Sequence, residues 1–190
     1  MRKSIWLFFL VLAAIVVVSY NTGSGGEENE KEVIMAYAAG TGTRLGSVTS
    51  ITIHIEDFST PDDQQVLLQA YKTAGNKGLF NAVSKMPSKG RIAITGTLGY
   101  DVNYIKEFPT ANGRKIRIVT DRPISMGEAW TNSRSSDYNL TAVEIDVDGD
   151  KITGTLVPAC MFKIDQDNQI HVEAYQNPWK LQNIKIKQKK

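Results

Sequence analysis

Apolar and polar residues alternate strictly along the start of the folded part of the chain. In "SVTSITIHIEDF", Ile51, Ile53 and Ile55 occupy every second position, with polar residues between them. Because successive side chains of a strand point to opposite faces, this pattern predicts a half-buried β-strand. The preceding stretch "VIMAYAAG", which begins at Val33, is predicted to be a strand as well.

The spacing of apolar residues then becomes helical. In "STPDDQQVLLQAYKTAG" they recur at Leu67, Ala70, Tyr71 and Ala74. Thr60 is suited to cap this helix, and Pro61 suits its first position. "KGLFNAVSKM" has helical spacing again and ends before Pro87. Since Gly75 and Gly78 lie between the two stretches, the pattern predicts a hairpin of two helices.

The remaining residues predict short strands joined by turns. These strands are 90–99, 102–108, 114–120, 139–147, 151–164, 170–176 and 181–187. Short connections make neighbouring strands antiparallel. A flat open sheet of about nine strands would be unusual, so strong curvature is expected. The predicted fold class is α+β: a strongly curved, barrel-like antiparallel sheet of about nine strands, with the two-helix hairpin inserted after the second strand.

The N-terminus has a pattern of its own. Basic "MRKS" precedes 14 apolar residues, "IWLFFLVLAAIVVV", and then the small and polar residues "SYNTGSGG". This order is typical of a secretory signal, and the run is shorter than the roughly 20 residues of a spanning helix. Residues 1–19 are therefore predicted to be a signal peptide, or alternatively an uncleaved anchor. Residues 20–32 are predicted to be a polar, acidic linker, and residues 33–190 a single domain in the periplasm or outside the cell.

Composition limits the classes of partner. Of the 190 residues 42% are hydrophobic, which suffices for one globular core. Removing Arg2 and Lys3 lowers the 22 basic residues to 20, equal to the 20 acidic ones. A balanced chain offers no overall field for nucleic acid, so none is expected as a partner. Membrane contact is expected through the N-terminal segment if it is uncleaved, and the lone Cys160 in "LVPACMF" is predicted to be buried.

The candidate ligand-binding segment is "SMGEAWTNSRSSDYN", residues 125–139. It is long for a connection between strands and carries Trp130, Arg134, Asp137 and Tyr138, and long segments with aromatic and polar groups are where binding concentrates. No histidine is near, so a serine hydrolase is not indicated. The alternative is a covering loop in which Trp130 closes one end of the sheet.

A metal site is a second hypothesis. His54 is followed two positions later by Glu56, and His171 by Glu173. Each pair shares one strand face. If the two strands were neighbours, two imidazoles and two carboxylates could bind zinc or a similar ion. The alternative is a solvated face that happens to carry polar residues, and no cofactor is predicted.

Charged residues also alternate on several strands. Lys115 and Arg117 are expected to form cross-strand pairs with an acidic strand that carries Glu144 and Asp146. Lysines also alternate near the C-terminus, in "KIKQKK", which begins at Lys185. They give a third hypothesis, a peripheral protein that touches anionic lipid or cell-wall polymer through a basic tail.

The stretch "EIDVDGDKITG" invites comparison with a calcium loop. Counted from Asp146, the EF-hand positions 6 and 12 hold Lys151 and Val157, where glycine and glutamate are required. The Asp148-Gly149 pair is instead typical of a two-residue hairpin turn. This stretch is therefore predicted to join two antiparallel strands.

Several distinctive stretches, "GRKIRIVTDRPISMGEAW", "RSSDYNLTA" and "QNPWKLQNI", resemble an uncharacterised family of secreted bacterial proteins. The resemblance implies an exported single-domain protein and no activity. With no catalytic constellation in the sequence, we expect a non-enzymatic envelope or extracellular module that binds a small ligand or an envelope component. The alternatives are a metal-binding protein or metal-dependent enzyme that uses the two His-x-Glu strands, and a peripheral envelope-surface protein with a basic C-terminal tail.

Overall fold

The computed structural model describes residues 32–40, 48–95, 97–124, 139–164, 170–174 and 178–188. These residues form ten strands and one helical element. In chain order they are β1 (Glu32–Ala39), β2 (Val48–Ile55), α1 (Pro61–Val83), β3 (Gly90–Ile94), β4 (Tyr100–Val102), β5 (Tyr104–Thr110), β6 (Gly113–Thr120), β7 (Leu140–Asp148), β8 (Lys151–Ile164), β9 (Ile170–Ala174) and β10 (Trp179–Gln188).

The strands form one antiparallel sheet that curls into a nearly closed barrel. Their order is β4-β3-β2-β1-β10-β8-β7-β6-β5. Strand β9 lies off this order and pairs with β8. The two outermost strands, β4 and β5, are separated in the chain by Asn103 alone. One bent stretch therefore pairs with β3 through its first part and with β6 through its second. The predicted strongly curved antiparallel sheet is confirmed.

The interior of the barrel is a hydrophobic core. Alternate positions around the sheet point inward, and their side chains are at most 2% exposed at Ile34, Ile51, Ile53, Ile55, Ile92, Ile116, Ile118 and Ile145. The predicted inward face of β2 is thus confirmed. Burying each such side chain contributes about 1.5–3 kcal/mol. The barrel is held together from inside by branched aliphatic residues.

A second core lies outside the barrel, under α1. Leu67, Leu79 and Val83 of the helix are buried against the outer face of β5 to β8, including Tyr104 and Phe162. The helix begins as predicted. The Thr60 hydroxyl accepts a hydrogen bond from Asp63 N (3.1 Å), and the Asp63 carboxylate accepts one from Thr60 N (2.8 Å). This reciprocal arrangement is a capping box with an aspartate in place of the usual glutamate.

The predicted two-helix hairpin is not shown, because the two stretches form one helical element. Its backbone departs from helical geometry at Ala74 (φ −143°) and Gly75 (φ +58°). Glycine tolerates that conformation, so the chain kinks there instead of forming a separate loop. Gly78 then lies so close to the Ala70 carbonyl that a Cβ on it would be 2.2 Å from that oxygen. The two glycines thus permit a tight bend within one element.

The kink places Asn76 against the edge of β8. Strand β7 begins at Leu140, opposite Cys160, so it does not pair with the part of β8 beyond that point. There the Asn76 amide donates to Phe162 O (2.9 Å) and accepts from Phe162 N (2.6 Å). The side chain thereby satisfies a strand edge that would otherwise be open. Cys160 is fully buried beside it, as predicted, and burial raises the pKa of its thiol well above the usual range.

The stretch from Glu144 to Gly154 forms a hairpin, as predicted. Asp148 pairs with Lys151, so Gly149 and Asp150 are the two turn residues, one position later than expected. Gly149 has a φ of +56°, which suits a hairpin turn with glycine at its first position.

Candidate functional site

The strand register defines two ends of the barrel. At what we call the loop end, β1 finishes beside the start of β2, and Thr120 of β6 pairs with Thr141 of β7. At what we call the terminal end, the first residue of β1, Glu32, pairs with the last residue of β10, Gln188. The start of β1 and the end of β10 therefore lie side by side at this end.

A buried threonine organises the loop end. Thr141 is 1% exposed, and its Oγ1 accepts a hydrogen bond from Ile124 N at 2.8 Å. The same hydroxyl lies 2.7 Å from Pro158 O and 3.1 Å from Arg122 O, either of which accepts its proton. The Thr120 hydroxyl, also buried, donates to Arg122 O at 2.5 Å. These bonds attach the residues before segment 125–138 to the start of the strand that follows it.

The predicted ligand-binding residues belong to that segment. Trp130, Arg134, Asp137 and Tyr138 lie outside the described residues. The described part shows what holds the two ends of the segment: a network centred on a hydroxyl that would be costly to leave unsatisfied when buried. Sequence reasoning missed Thr141, because a threonine in a strand is unremarkable by composition.

Trp179 is a structural residue at the same end. It is 4% exposed and belongs to the barrel core. A Cβ on Gly40 would lie 2.7 Å from its ring, so the end of β1 crosses directly over the indole. Trp179 therefore anchors the start of β10 in the barrel core.

The space between α1 and the sheet is almost filled. A cavity of about 20 Å³ remains there, lined by residues that include Leu67, Tyr104 and Phe162. That volume holds about one water molecule, far less than a small-molecule ligand needs. Burial raises the pKa of Tyr104 to about 12. This interface is a packed core, so it does not support a small-ligand site between helix and sheet.

The residues of the metal hypothesis are placed on separate parts of the sheet. His54 lies on β2 and His171 on β9, and β9 pairs with β8, which β1 and β10 separate from β2. Glu173 forms an ion pair with Lys163 at 2.6 Å, and Glu56 is exposed just beyond β2. Within the described residues, no group of three or more His, Cys, Asp or Glu side chains could hold a metal. The structure does not bring the two His-x-Glu pairs together.

The predicted charge pairing across strands is confirmed. Arg117 of β6 pairs with Glu144 of β7 at 2.6 Å, and Lys115 pairs with Asp146 at 3.1 Å. The Arg117 guanidinium also lies 5.4 Å from the Phe108 ring centroid, within cation–π range. These basic residues are therefore neutralised by their own sheet.

An ion-pair cluster lies inside the terminal end. Arg114 Nη1 is 2.9 Å from Glu32 Oε1 and 2.7 Å from Glu107 Oε2. Burial alone would lower the pKa of Arg114, but the hydrogen bonds and charges of Glu32 and Glu107 together raise it. Glu32, assigned from sequence to the linker, is the buried first residue of β1. Glu32 lies two positions before Ile34, and this spacing in the sequence indicates that its side chain points inward as well.

Comparisons with protein-family models, curated proteins and solved structures gave no match to this chain. Among the helices that the structure describes, none is long and apolar enough to span a bilayer.

Proposed function

We propose that the protein is an exported bacterial envelope module that binds another envelope component through its loop end. The observation that carries this proposal is the hydrogen-bond network of Thr141, which ties both ends of segment 125–138 to one rigid frame. Binding residues are commonly found on loops that a rigid scaffold positions. Export, directed by residues 1–19 as a signal peptide or as an uncleaved anchor, is the part of the proposal that rests on sequence.

Two features favour a surface partner over an enclosed ligand. The barrel interior is filled by isoleucines, and the space under α1 holds about one water. A small molecule therefore lacks a cavity in either place. Segment 125–138 carries Trp130 and Arg134, two residue types that dominate the energetics of protein interfaces. Asp137 and Tyr138 are the other two candidate residues of this segment.

The test is binding of the purified full chain to isolated bacterial envelope. The double variant W130A/R134A is compared with N132A/S133A, which removes polar side chains from the same segment. We expect the first to lose at least about tenfold in apparent affinity and the second to bind like the parent. Equal melting temperatures would show that both variants keep the fold. Equal binding by both variants would contradict the proposal.

The basic-tail hypothesis is a second candidate, because a specific observation favours it. Lys185 and Lys187 are exposed on β10, and neither forms an ion pair with a carboxylate in the part of the chain that the structure describes. Lys115 and Arg117, by contrast, are paired.

A further inference from the structure

We propose that the outer face of β10, β1, β2 and β3 rests on an anionic lipid bilayer, with the terminal end of the barrel tethered to it. This face extends the basic-tail candidate, on which the proposal rests, and is a different surface from the loop end. The proposal stands or falls independently of binding by segment 125–138.

The strand register places the residues of this face in rows across the four strands. Lys187 of β10, Val33 of β1, His54 of β2 and Arg91 of β3 are consecutive partners across the sheet. The next row begins with Lys185, followed by Met35 and Thr52. Neighbouring strands lie about 4.8 Å apart, so each row spans the face continuously. α1 packs on the opposite side of the barrel, against β5 to β8.

The charges of the face are mostly positive and unneutralised. No carboxylate of the described residues forms an ion pair with Lys180, Lys185, Lys187 or Arg91. The carboxylates beside the face are at its margins: Asp101 lies opposite Arg91 on β4, and Glu56 follows β2. The face therefore carries a net positive charge, although the domain as a whole is balanced.

The centre of the face is apolar. Tyr37 is 47% exposed, and Val33 and Met35 are half-buried between the lysines of β10 and the polar residues of β2. Tyrosine is enriched where protein meets lipid headgroups, because its ring is apolar and its hydroxyl is polar. An apolar centre with basic margins complements an anionic bilayer surface.

The N-terminal sequence favours a bilayer, rather than a soluble anionic polymer, as the partner of this face. The apolar run at residues 5–18 is joined to β1 by the thirteen residues 19–31. Thirteen residues reach at most about 45 Å even when fully extended. Because β1 begins beside the end of β10, a retained apolar segment would hold Lys185 and Lys187 close to the lipid. Each lysine near an anionic surface adds about fivefold in affinity, and tethering raises the effective concentration of these weak contacts.

The test uses the full chain reconstituted in vesicles whose lipid headgroups carry a fluorescence quencher. A fluorophore is attached to Gln182→Cys or to Lys72→Cys. Gln182 is exposed on the proposed face as the cross-strand partner of Tyr37, and Lys72 is exposed on α1. The native Cys160 is fully buried and does not compete for labelling. We expect stronger quenching at position 182 than at position 72 in phosphatidylglycerol-containing vesicles. The difference should disappear in phosphatidylcholine alone and at about 1 M salt, where the Debye length falls to roughly 3 Å.

Charge reversal distinguishes binding by this face from an effect of the protein's net charge. K185E/K187E should abolish the extra quenching at position 182, whereas K77E/K85E, with the same change of charge on α1 and just after it, should preserve it. K185Q/K187Q serves if the reversal impairs folding. Equal quenching at both positions, quenching that ignores salt, or equal effects of the two reversals would overturn the proposal. The proposal would also be overturned if a soluble anionic polymer, and not vesicles, shielded the fluorophore at position 182.

Discussion

The carboxylate of Glu32 meets the guanidinium of Arg114 across the terminal end of the barrel, with two nitrogen–oxygen contacts of 2.9 Å. β1 and β6 are far apart in the strand order, so this pair bridges the barrel mouth instead of joining neighbours. Glu107 of β5 holds the same guanidinium at 2.7 Å. One arginine therefore ties the first strand of the domain to the strands that close the barrel.

Glu32→Ala should destabilise the fold. The change leaves the half-buried Arg114 with Glu107 as its remaining carboxylate partner, and breaking a buried pair from one side costs about 3–5 kcal/mol. Because the Arg114 side chain is 26% exposed, we expect about 2 kcal/mol, measured by urea unfolding. The control, Glu56→Ala, removes an exposed carboxylate and should change stability by less than about 0.5 kcal/mol. Equal effects of the two changes would contradict this role.

The stability of the protein should fall at high pH because of Tyr104. Its pKa is raised to about 12 by burial, against about 10 in an unfolded chain. The unfolded state therefore loses its proton first, so this contribution is intact below pH 10 and is lost as the pH rises toward 12. Over that window Tyr104→Phe should remove about 2 kcal/mol of pH dependence. A pH profile that Tyr104→Phe leaves unchanged would count against the assignment.

Asn76→Ala should loosen the edge of β8. Its amide makes two hydrogen bonds with the Phe162 backbone, and buried groups left unsatisfied cost about 1–3 kcal/mol. Since Cys160 is two residues away, its reaction with a thiol reagent should accelerate in the folded state. Asn81→Ala, exposed on the same helix, is the matched control. If thiol reactivity does not separate the two variants, Asn76 does not protect this edge.

The two glycines of α1 should respond to alanine for different reasons. Gly75→Ala has open space but a positive φ, which costs about 1–3 kcal/mol. Gly78→Ala places a Cβ 2.2 Å from the Ala70 carbonyl, so the backbone itself must move. We therefore expect a larger loss of melting temperature for Gly78→Ala. Equal, small losses would show that the bend is not tightly packed.

Local patterns were predictable from the sequence, and long-range ones were not. The alternation of Ile51, Ile53 and Ile55 correctly predicted the inward face of β2, and the charges on Lys115 and Arg117 correctly predicted their acidic partners. Both features depend on period two along single strands. The pairing of β1 with β10 joins residues far apart in the chain, and no periodicity reports it.

Other predictions were wrong or incomplete where one sequence pattern is compatible with two structures. Gly75 and Gly78 are compatible with a loop between helices and with a kink, and the sequence pattern does not distinguish the two. The bend at Asn103, where a strand predicted to be continuous changes partners, has no distinct sequence mark. Of the candidate site, sequence named residues of segment 125–138 but could not show that Thr141 fixes its two ends, since that depends on which strands meet.

Hydrogen exchange of the full chain, with and without bacterial envelope, tests the proposed binding end most directly. We predict that backbone amides in residues 125–138 gain protection on binding, whereas those of α1 do not. In W130A/R134A the protection should disappear while exchange in the barrel strands stays unchanged. Protection confined to α1 or β9, or bound protein with no protection in residues 125–138, would contradict the assignment of binding to the loop end.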